Sequence, residues 1–187
     1  MYRKLIAITI ALMPAIWTAP AEAQLGGRLS AEPYVAYGFY GALPETTASL
    51  EAGIAYGGRI AFRLVDQWAV FGNFQRSTPQ VVGNLPGVQV EGGELEVDHW
   101  SGGIEFSYVP RGGASGMLPI QLEAGLGQAR YEGGSADLAV NLGIASALQL
   151  SPNLAIRYGA NDYVSNYRDG NGVEHQVFVR IGAELSL

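Results

Sequence analysis

The sequence predicts an all-β protein, an eight-stranded antiparallel up-and-down transmembrane β-barrel preceded by a cleavable signal peptide. Three observations predict this fold class. Apolar residues alternate with small or polar residues along most of the chain, which is the two-residue period of a β-strand. Glycine accounts for 26 of 187 residues, a content that disfavours helices. Only 15% of the residues are charged, against about 25% in typical globular domains.

The first 23 residues have the organisation of a secretory signal peptide. Arg3 and Lys4 precede an apolar run over 5–17, and Ala21-Glu22-Ala23 provides the small residues of a cleavage site. The run is shorter than the roughly 20 residues that a membrane-spanning helix needs. We therefore predict a signal peptide over 1–23 and one barrel domain over 24–187. The only lysine of the sequence lies in this signal peptide.

Eight strands follow from the alternation and from the turn residues between the apolar runs. The predicted strands are 28–40, 50–65, 68–77, 97–110, 119–131, 136–151, 154–166 and 173–187. Tight connections at 66–67 and 152–153 alternate with longer ones at 41–49 and 78–96. This is the plan of outer-membrane barrels, in which periplasmic turns are short and extracellular loops are long. A bulge at Gln128 is an alternative register for its strand, and it would turn Arg130 inward and Tyr131 outward.

The two faces of each strand differ in composition. Leu50, Ile54 and Tyr56 share an apolar face, whereas Glu51 and the residues two apart from it are small or charged. A water-facing surface would carry many Lys, Glu and Thr residues, but a narrow lumen needs small residues and a few paired charges. We predict that the lumen holds an Arg/Glu network, because buried charges are tolerated only when paired. The predicted network comprises Glu32, Glu51, Arg59, Arg63, Glu105, Glu123, Arg157, Arg180 and Glu184.

Aromatic residues lie towards the predicted strand ends, where membrane barrels carry aromatic girdles. The predicted girdle comprises Tyr37, Phe39, Trp68, Trp100, Tyr108, Tyr131 and Tyr163. A secreted soluble β-barrel that binds a small ligand is the alternative, because its strands also alternate between an apolar and a polar face.

The whole of residues 24–187 resembles the OmpA/OmpX-like family of small outer-membrane β-barrels in strand number and pattern. Val177 to Leu187 is similar to the C-terminal signature read by the barrel-assembly machinery, with Leu187 where an aromatic residue is usual. The resemblance implies the outer membrane of a diderm bacterium and contact with its lipid and lipopolysaccharide. It also implies a structural or adhesin-like role, with surface ligands bound through loops 41–49 and 78–96.

His99-Trp100-Ser101 is the one arrangement with catalytic chemistry. Its His-x-Ser spacing is similar to that of the outer-membrane lipid A deacylases, and Glu123 or Glu132 would complete a triad. Because alternation places His99 and Ser101 on the inward face, we predict no enzymatic activity. A narrow pore is the other alternative, although eight strands leave room only for side chains.

Several classes of site and partner are excluded or disfavoured by composition. Cysteine is absent, so the chain has no disulfide, thiolate metal site or cysteine nucleophile. His175 has no His or Cys partner at ligand spacing, and we predict no metal and no cofactor. A net charge of −6 disfavours nucleic acid as a partner.

Overall fold

A computed structural model of the protein describes residues 28–41, 48–85, 88–109, 118–134, 136–166 and 173–187. The predicted signal peptide and most of the predicted loop over 41–49 lie outside these residues. The strands within the described residues are β1 (Leu29–Tyr40), β2 (Ala48–Leu50), β3 (Gly53–Val65), β4 (Trp68–Ser77), β5 (Gln80–Leu85), β6 (Val88–Glu94), β7 (Val97–Tyr108), β8 (Ile120–Tyr131), β9 (Ala136–Ser151), β10 (Leu154–Asn166) and β11 (Val173–Ser186).

Eight strands form a closed antiparallel barrel in the order β1-β3-β4-β7-β8-β9-β10-β11, and β11 pairs back onto β1. Closure satisfies the backbone of every strand and leaves no exposed edge. Each predicted strand matches a barrel strand to within three residues at either end. The predicted fold class is therefore confirmed. No helix in this part of the chain is long and apolar enough to span a membrane.

The barrel has two unlike ends. The tight turns at 66–67 and 152–153 lie at one end, together with the start of β1 and the end of β11, and we name it the turn end. The connection from β7 to β8 is also at this end, but residues 110–117 are outside the described part. The opposite end, where β1 leads to β3 and β4 leads to β7, is the loop end.

The segment over 78–96, which the sequence predicts as a long loop, contains two strands. It contains the hairpin of β5 and β6, and β2 pairs with β5 to complete a three-stranded sheet at the loop end. The N–H of Glu51 donates to the carbonyl of Gln80 at 2.9 Å, which fastens this sheet to the chain entering β3. The sequence did not predict β5 and β6, because both strands are short and contain glycines that obscure the alternation.

The barrel is apolar outside and polar inside, as the transmembrane prediction requires. Ile54, Leu126 and Leu138 are 72%, 64% and 69% exposed, whereas Asn141 and Arg157 inside the lumen are fully buried. Among the described residues, the acidic and basic side chains that face outward from the barrel strands lie towards the loop end. They are Arg76, Asp98, Arg130, Asp162 and His175.

The outward orientation predicted for the aromatic girdle holds for five of its seven members. Tyr37, Phe39, Trp68, Trp100 and Tyr108 are exposed on the outer surface. Tyr131 and Tyr163 were assigned wrongly, because they are 8% and 1% exposed and lie inside the lumen. β8 pairs with β7 in continuous register from Ile120 to Tyr131. The alternative bulge at Gln128 is therefore also wrong, and Arg130 faces outward.

Candidate functional site

Seven charged side chains meet in the half of the lumen nearer the turn end. This arginine–glutamate cluster comprises Glu32, Arg59, Glu105, Glu123, Arg157, Arg180 and Glu184. Its members come from six barrel strands and project inward, because each occupies an inward position in the alternation of its strand. Three arginines thus face four glutamates in an enclosed space.

Arg157 is the centre of the cluster. Its Nη2 donates to Oε2 of Glu105 at 2.7 Å and to Oε1 of Glu123 at 2.6 Å. Its Nε lies 3.4 Å from Glu32, and its Nη1 lies 3.6 Å from Glu184. The fork of the guanidinium group therefore contacts all four carboxylates, an arrangement that the point charge of a lysine would not reproduce.

Glu123 is the carboxylate with the most partners. Its Oε1 accepts hydrogen bonds from Arg157 and from Nη2 of Arg180 at 2.7 Å, and it lies 3.3 Å from Nε of Arg59. Its Oε2 accepts a hydrogen bond from Nδ2 of Asn161 at 3.0 Å. Arg59 also forms an ion pair with Glu105. Every charge at this centre therefore has an ion-pair partner, which offsets part of the desolvation of burying it. Both carboxylate oxygens of Glu32 are buried without a hydrogen bond and have ion-pair contacts only.

Two of the nine predicted network residues lie outside the arginine–glutamate cluster. Glu51 is exposed and precedes the first residue of β3, so its strand does not reach back far enough to place it in the lumen. Arg63 is exposed near the tight turn that follows β3, where pairing with β4 is irregular. The sequence prediction placed both residues in the lumen because alternation alone does not show where the barrel stops enclosing side chains.

A neutral polar layer follows towards the loop end. The hydroxyl of Tyr34 donates to Oδ1 of Asn73 at 3.0 Å, and Nδ2 of Asn73 donates to the hydroxyl of Tyr163 at 2.6 Å. Asn161 donates to Asn141 at 3.0 Å, which connects this layer to Glu123. We did not single out Tyr34, Asn73, Asn141 or Asn161 from the sequence, although their alternation with outward residues was a usable signal.

His99 and Ser101 face the lumen rather than the lipid. The ring of His99 packs on the rings of Tyr163 and Phe178, with centroids 4.6 and 5.4 Å apart. The hydroxyl of Ser101 accepts a hydrogen bond from Asn141 at 3.1 Å.

Neither carboxylate considered for a triad joins His99 and Ser101. Glu123 belongs to the arginine–glutamate cluster. Glu132 lies beyond the end of β8, where its Oε2 accepts the N–H of Glu96 at 3.5 Å.

The loop end of the lumen is covered by the three-stranded sheet. Leu50, from this sheet, is 5% exposed and packs with Val97 and Tyr131 of the barrel, so its expected outward position was wrong. Val81 adds to this apolar cover. Below it, Tyr131 and Glu174 are hydrogen bonded. Side chains of the arginine–glutamate cluster thus occupy the lumen near the turn end, and the sheet packs over Val97 and Tyr131 at the loop end.

The described residues include no group of three or more His, Asp or Glu side chains placed to hold a metal ion. His175 instead pairs on the outer surface with Asp162, whose Oδ2 lies 2.8 Å from its Nδ1.

Comparisons with known proteins agree with this architecture. No protein-family model matches the chain, and no curated protein matches it. Neisserial surface protein A is similar in structure, with 13% identity, a TM-score of 0.53 and coverage of 85% of this chain and 97% of that chain. OprG from Pseudomonas aeruginosa has 11% identity and a TM-score of 0.54, covering 87% and 97%. Outer membrane protein W of E. coli has 12% identity and a TM-score of 0.50, covering 88% and 100%. At these identities the likeness shows the fold, that of a small outer-membrane β-barrel.

Proposed function

We propose that this chain is a resident of the outer membrane whose closed barrel is a structural scaffold for a surface-exposed sheet. The observation that supports this most is the double closure of the lumen. The arginine–glutamate cluster fills the half nearer the turn end, and the sheet of β2, β5 and β6 covers the loop end. In outer-membrane barrels the longer connections face the exterior, which assigns the sheet to the cell surface.

The side chains inside the lumen block the passage of ions through the barrel. An eight-stranded barrel is just wide enough for its own inward side chains. Arg157, Glu123 and Arg59 contact one another inside it and are nearly inaccessible to solvent. An ion crossing the barrel would have to break their pairing, which is strongly unfavourable in a buried setting.

We expect no discrete conductance from the wild-type protein in planar-bilayer recordings. A large water-filled channel requires about 16 strands, far more than this barrel has. A general porin inserted by the same procedure is the positive control. Reproducible unitary steps from the wild-type chain would contradict the plug and favour the narrow-pore alternative.

The loop-end sheet is the surface that we propose for ligand binding, in an adhesin-like role. Replacing residues 80–94 with a short Gly-Ser turn is expected to leave heat-modifiable gel migration intact, because the eight barrel strands are unchanged. Attachment of cells producing this variant to host-cell monolayers should fall relative to the wild type. Exchange of the turn at 152–153, at the opposite end, is the matched control. Equal attachment by all three strains would contradict the proposed surface role.

We further propose that the chain is not a lipid A deacylase. Ser101 is 8% exposed, and its hydroxyl accepts a hydrogen bond from Asn141 inside the barrel, on the side of the sheet opposite to the lipid. Lipid A from cells producing the wild type and Ser101→Ala is expected to have the same mass spectrum as lipid A from cells without the protein. Loss of an acyl chain that depends on Ser101 would establish the enzymatic alternative.

A further inference from the structure

The outer wall of the barrel contains a groove of about 770 Å³ that the closed-scaffold role does not use. It crosses β1, β3, β4, β7 and β8 on their outward face. Its floor is made of the backbone at Gly58, Gly72 and Gly102, and its walls are apolar side chains. The wall residues are Ile60, Phe74, Trp100 and Leu126.

The floor is open because nothing packs against it. A methyl group built on Gly72 would meet no atom within 4 Å, and one on Gly102 would meet only the carbonyl oxygen of Phe71 at 3.5 Å. On the lumen side, by contrast, a methyl group on Gly127 would overlap the backbone of Trp100. Packing therefore requires glycine at Gly127 but not at Gly72, where it instead leaves room on the lipid-facing surface.

The groove ascends towards the loop end. The register aligns Pro33 with Gly58, Gly58 with Phe74, Phe74 with Trp100 and Trp100 with Gln128. Pro33 lies closer to the turn end of its strand, whereas Gln128 is three residues from the loop end of β8. A linear molecule lying in the groove would thus extend from the mid-barrel wall up to the rim.

The upper end of the groove meets a row of charged side chains. Arg76, Asp98 and Arg130 are paired across β4, β7 and β8 and face outward, directly above Phe74, Trp100 and Gln128. Arg76 binds both oxygens of Asp98 at 2.6 Å and also pairs with Glu96 at 3.1 Å.

Arg130 is the cation that remains available at this rim. Asp98, its neighbour across the strand pair, is held by Arg76, and the carboxylate of Glu132 accepts the N–H of Glu96. Within the described part of the chain no ion pair is formed by Arg130, and its side chain is exposed. A guanidinium group in this state suits a phosphate, which it binds in bidentate fashion.

We propose that this groove binds one acyl chain of a phosphorylated outer-leaflet lipid, with the lipid phosphate on Arg130. The occupant must be apolar along the floor and anionic at the rim, which matches one lipid molecule. The groove volume lies within the roughly 300–1,000 Å³ of ligand pockets. A second barrel fits the groove less well, because its convex wall would rest on the groove walls without contacting the concave floor. The inference rests on the outer-membrane location proposed above.

Two tryptophans make the groove directly testable. Trp100 forms its wall and stacks on Phe74 at 4.3 Å between centroids, whereas Trp68 stacks on Phe106 at 5.0 Å at the turn end, outside the groove. Both are outward and about half exposed. The Trp68→Phe variant retains Trp100 as the reporter of the groove, and the Trp100→Phe variant retains Trp68 as a matched control outside it. Both variants are made in the chain over 24–187.

We would refold both variants into phosphatidylcholine vesicles containing a minor fraction of phosphatidylglycerol brominated on its acyl chains. We expect stronger quenching of Trp100 than of Trp68, because a bound chain stays beside Trp100 while Trp68 meets brominated lipid at random. Brominated phosphatidylcholine at the same fraction should quench the two residues equally, since Arg130 selects the anionic lipid.

Variants in the Trp68→Phe background separate the two parts of the site. Arg130→Gln should weaken the apparent affinity for brominated phosphatidylglycerol roughly tenfold, the effect of losing one hydrogen bond to a charged group. Gly72→Val should abolish the excess quenching by filling the floor. Arg63→Gln, an exposed arginine at the turn end, and Ala124→Val, on the outer wall outside the groove, are the matched controls and should change nothing.

The outcomes distinguish the groove from the membrane location on which it rests. If vesicles made entirely of brominated phosphatidylcholine quench neither tryptophan, the membrane location itself is wrong. If they quench both, but the mixed vesicles show no preference for Trp100 or no effect of Arg130→Gln and Gly72→Val, the lipid site is overturned.

Discussion

Replacing Arg157 with methionine is expected to lower the free energy of unfolding by about 3–5 kcal/mol, the usual effect of removing one partner from a buried ion pair. Methionine fills a similar volume but has no donor for the four carboxylates that Arg157 contacts. Glu184 would lose its ion-pair partner, and Glu105 would keep Arg59 as an ion-pair partner and the hydroxyl of Ser107 as a hydrogen-bond donor. Urea titration of the protein in lipid vesicles, followed by heat-modifiable gel migration, measures the change.

Two variants test whether the arginine–glutamate cluster is the cause. Arg63→Met removes an exposed arginine at the turn end and should change the free energy of unfolding by less than about 0.5 kcal/mol. Arg157→Met combined with Glu184→Gln should recover part of the loss, because it removes the carboxylate that is left without its ion-pair partner. Equal effects of Arg157→Met and Arg63→Met would refute the assignment of the cluster as a paired, buried unit.

Replacing Gly127 with alanine is expected to lower the free energy of unfolding by about 1–3 kcal/mol or more, as overpacking does. The added methyl group would overlap the carbonyl oxygen of Trp100 and lie 2.7 Å from the Cα of Ser101. Because both are backbone atoms of the paired strand β7, rotation of a side chain cannot relieve the overlap. The same urea titration measures the effect.

Gly72→Ala is the matched control for Gly127→Ala, and we expect it to act in the opposite direction. Its methyl group would enter open space on the outer wall. Alanine in the interior of a strand is favoured over glycine by roughly 0.5–1 kcal/mol, so the variant should be slightly more stable than the wild type. A loss of stability with Gly72→Ala comparable to that with Gly127→Ala would contradict the assignment of inner and outer faces.

The barrel itself was predictable from the sequence because its evidence is local. Alternation along residues 136–151 and 173–187 specifies strands and their two faces without knowledge of the partner strand. The composition of the inward face further distinguishes a narrow lumen from a solvated surface. The exposed Ile54, Leu126 and Leu138 confirm that inference.

The extent of the lumen was not predictable, because it depends on where neighbouring strands enclose a side chain. Glu51 and Arg63 have the same parity as Arg59, yet both lie outside the enclosed section. Tyr131 and Tyr163 resemble girdle residues in sequence position but face inward. The sheet of β2, β5 and β6 was not predicted for a different reason: strands this short give little periodic signal in the sequence.

The sequence by itself determined the strand number, the inside-out polarity and the supply of arginines and glutamates for the lumen. Only the tertiary structure decided which of those charges meet, because contacts among Arg157, Glu123 and Glu105 depend on how three separate strands are aligned around the barrel. It also decided that Gly72 and Gly102 lie opposite each other and that, with Gly58 on the next strand, they form the floor of a groove. Strand parity is a property of neighbouring residues, whereas alignment across the barrel arises only when the sheet closes.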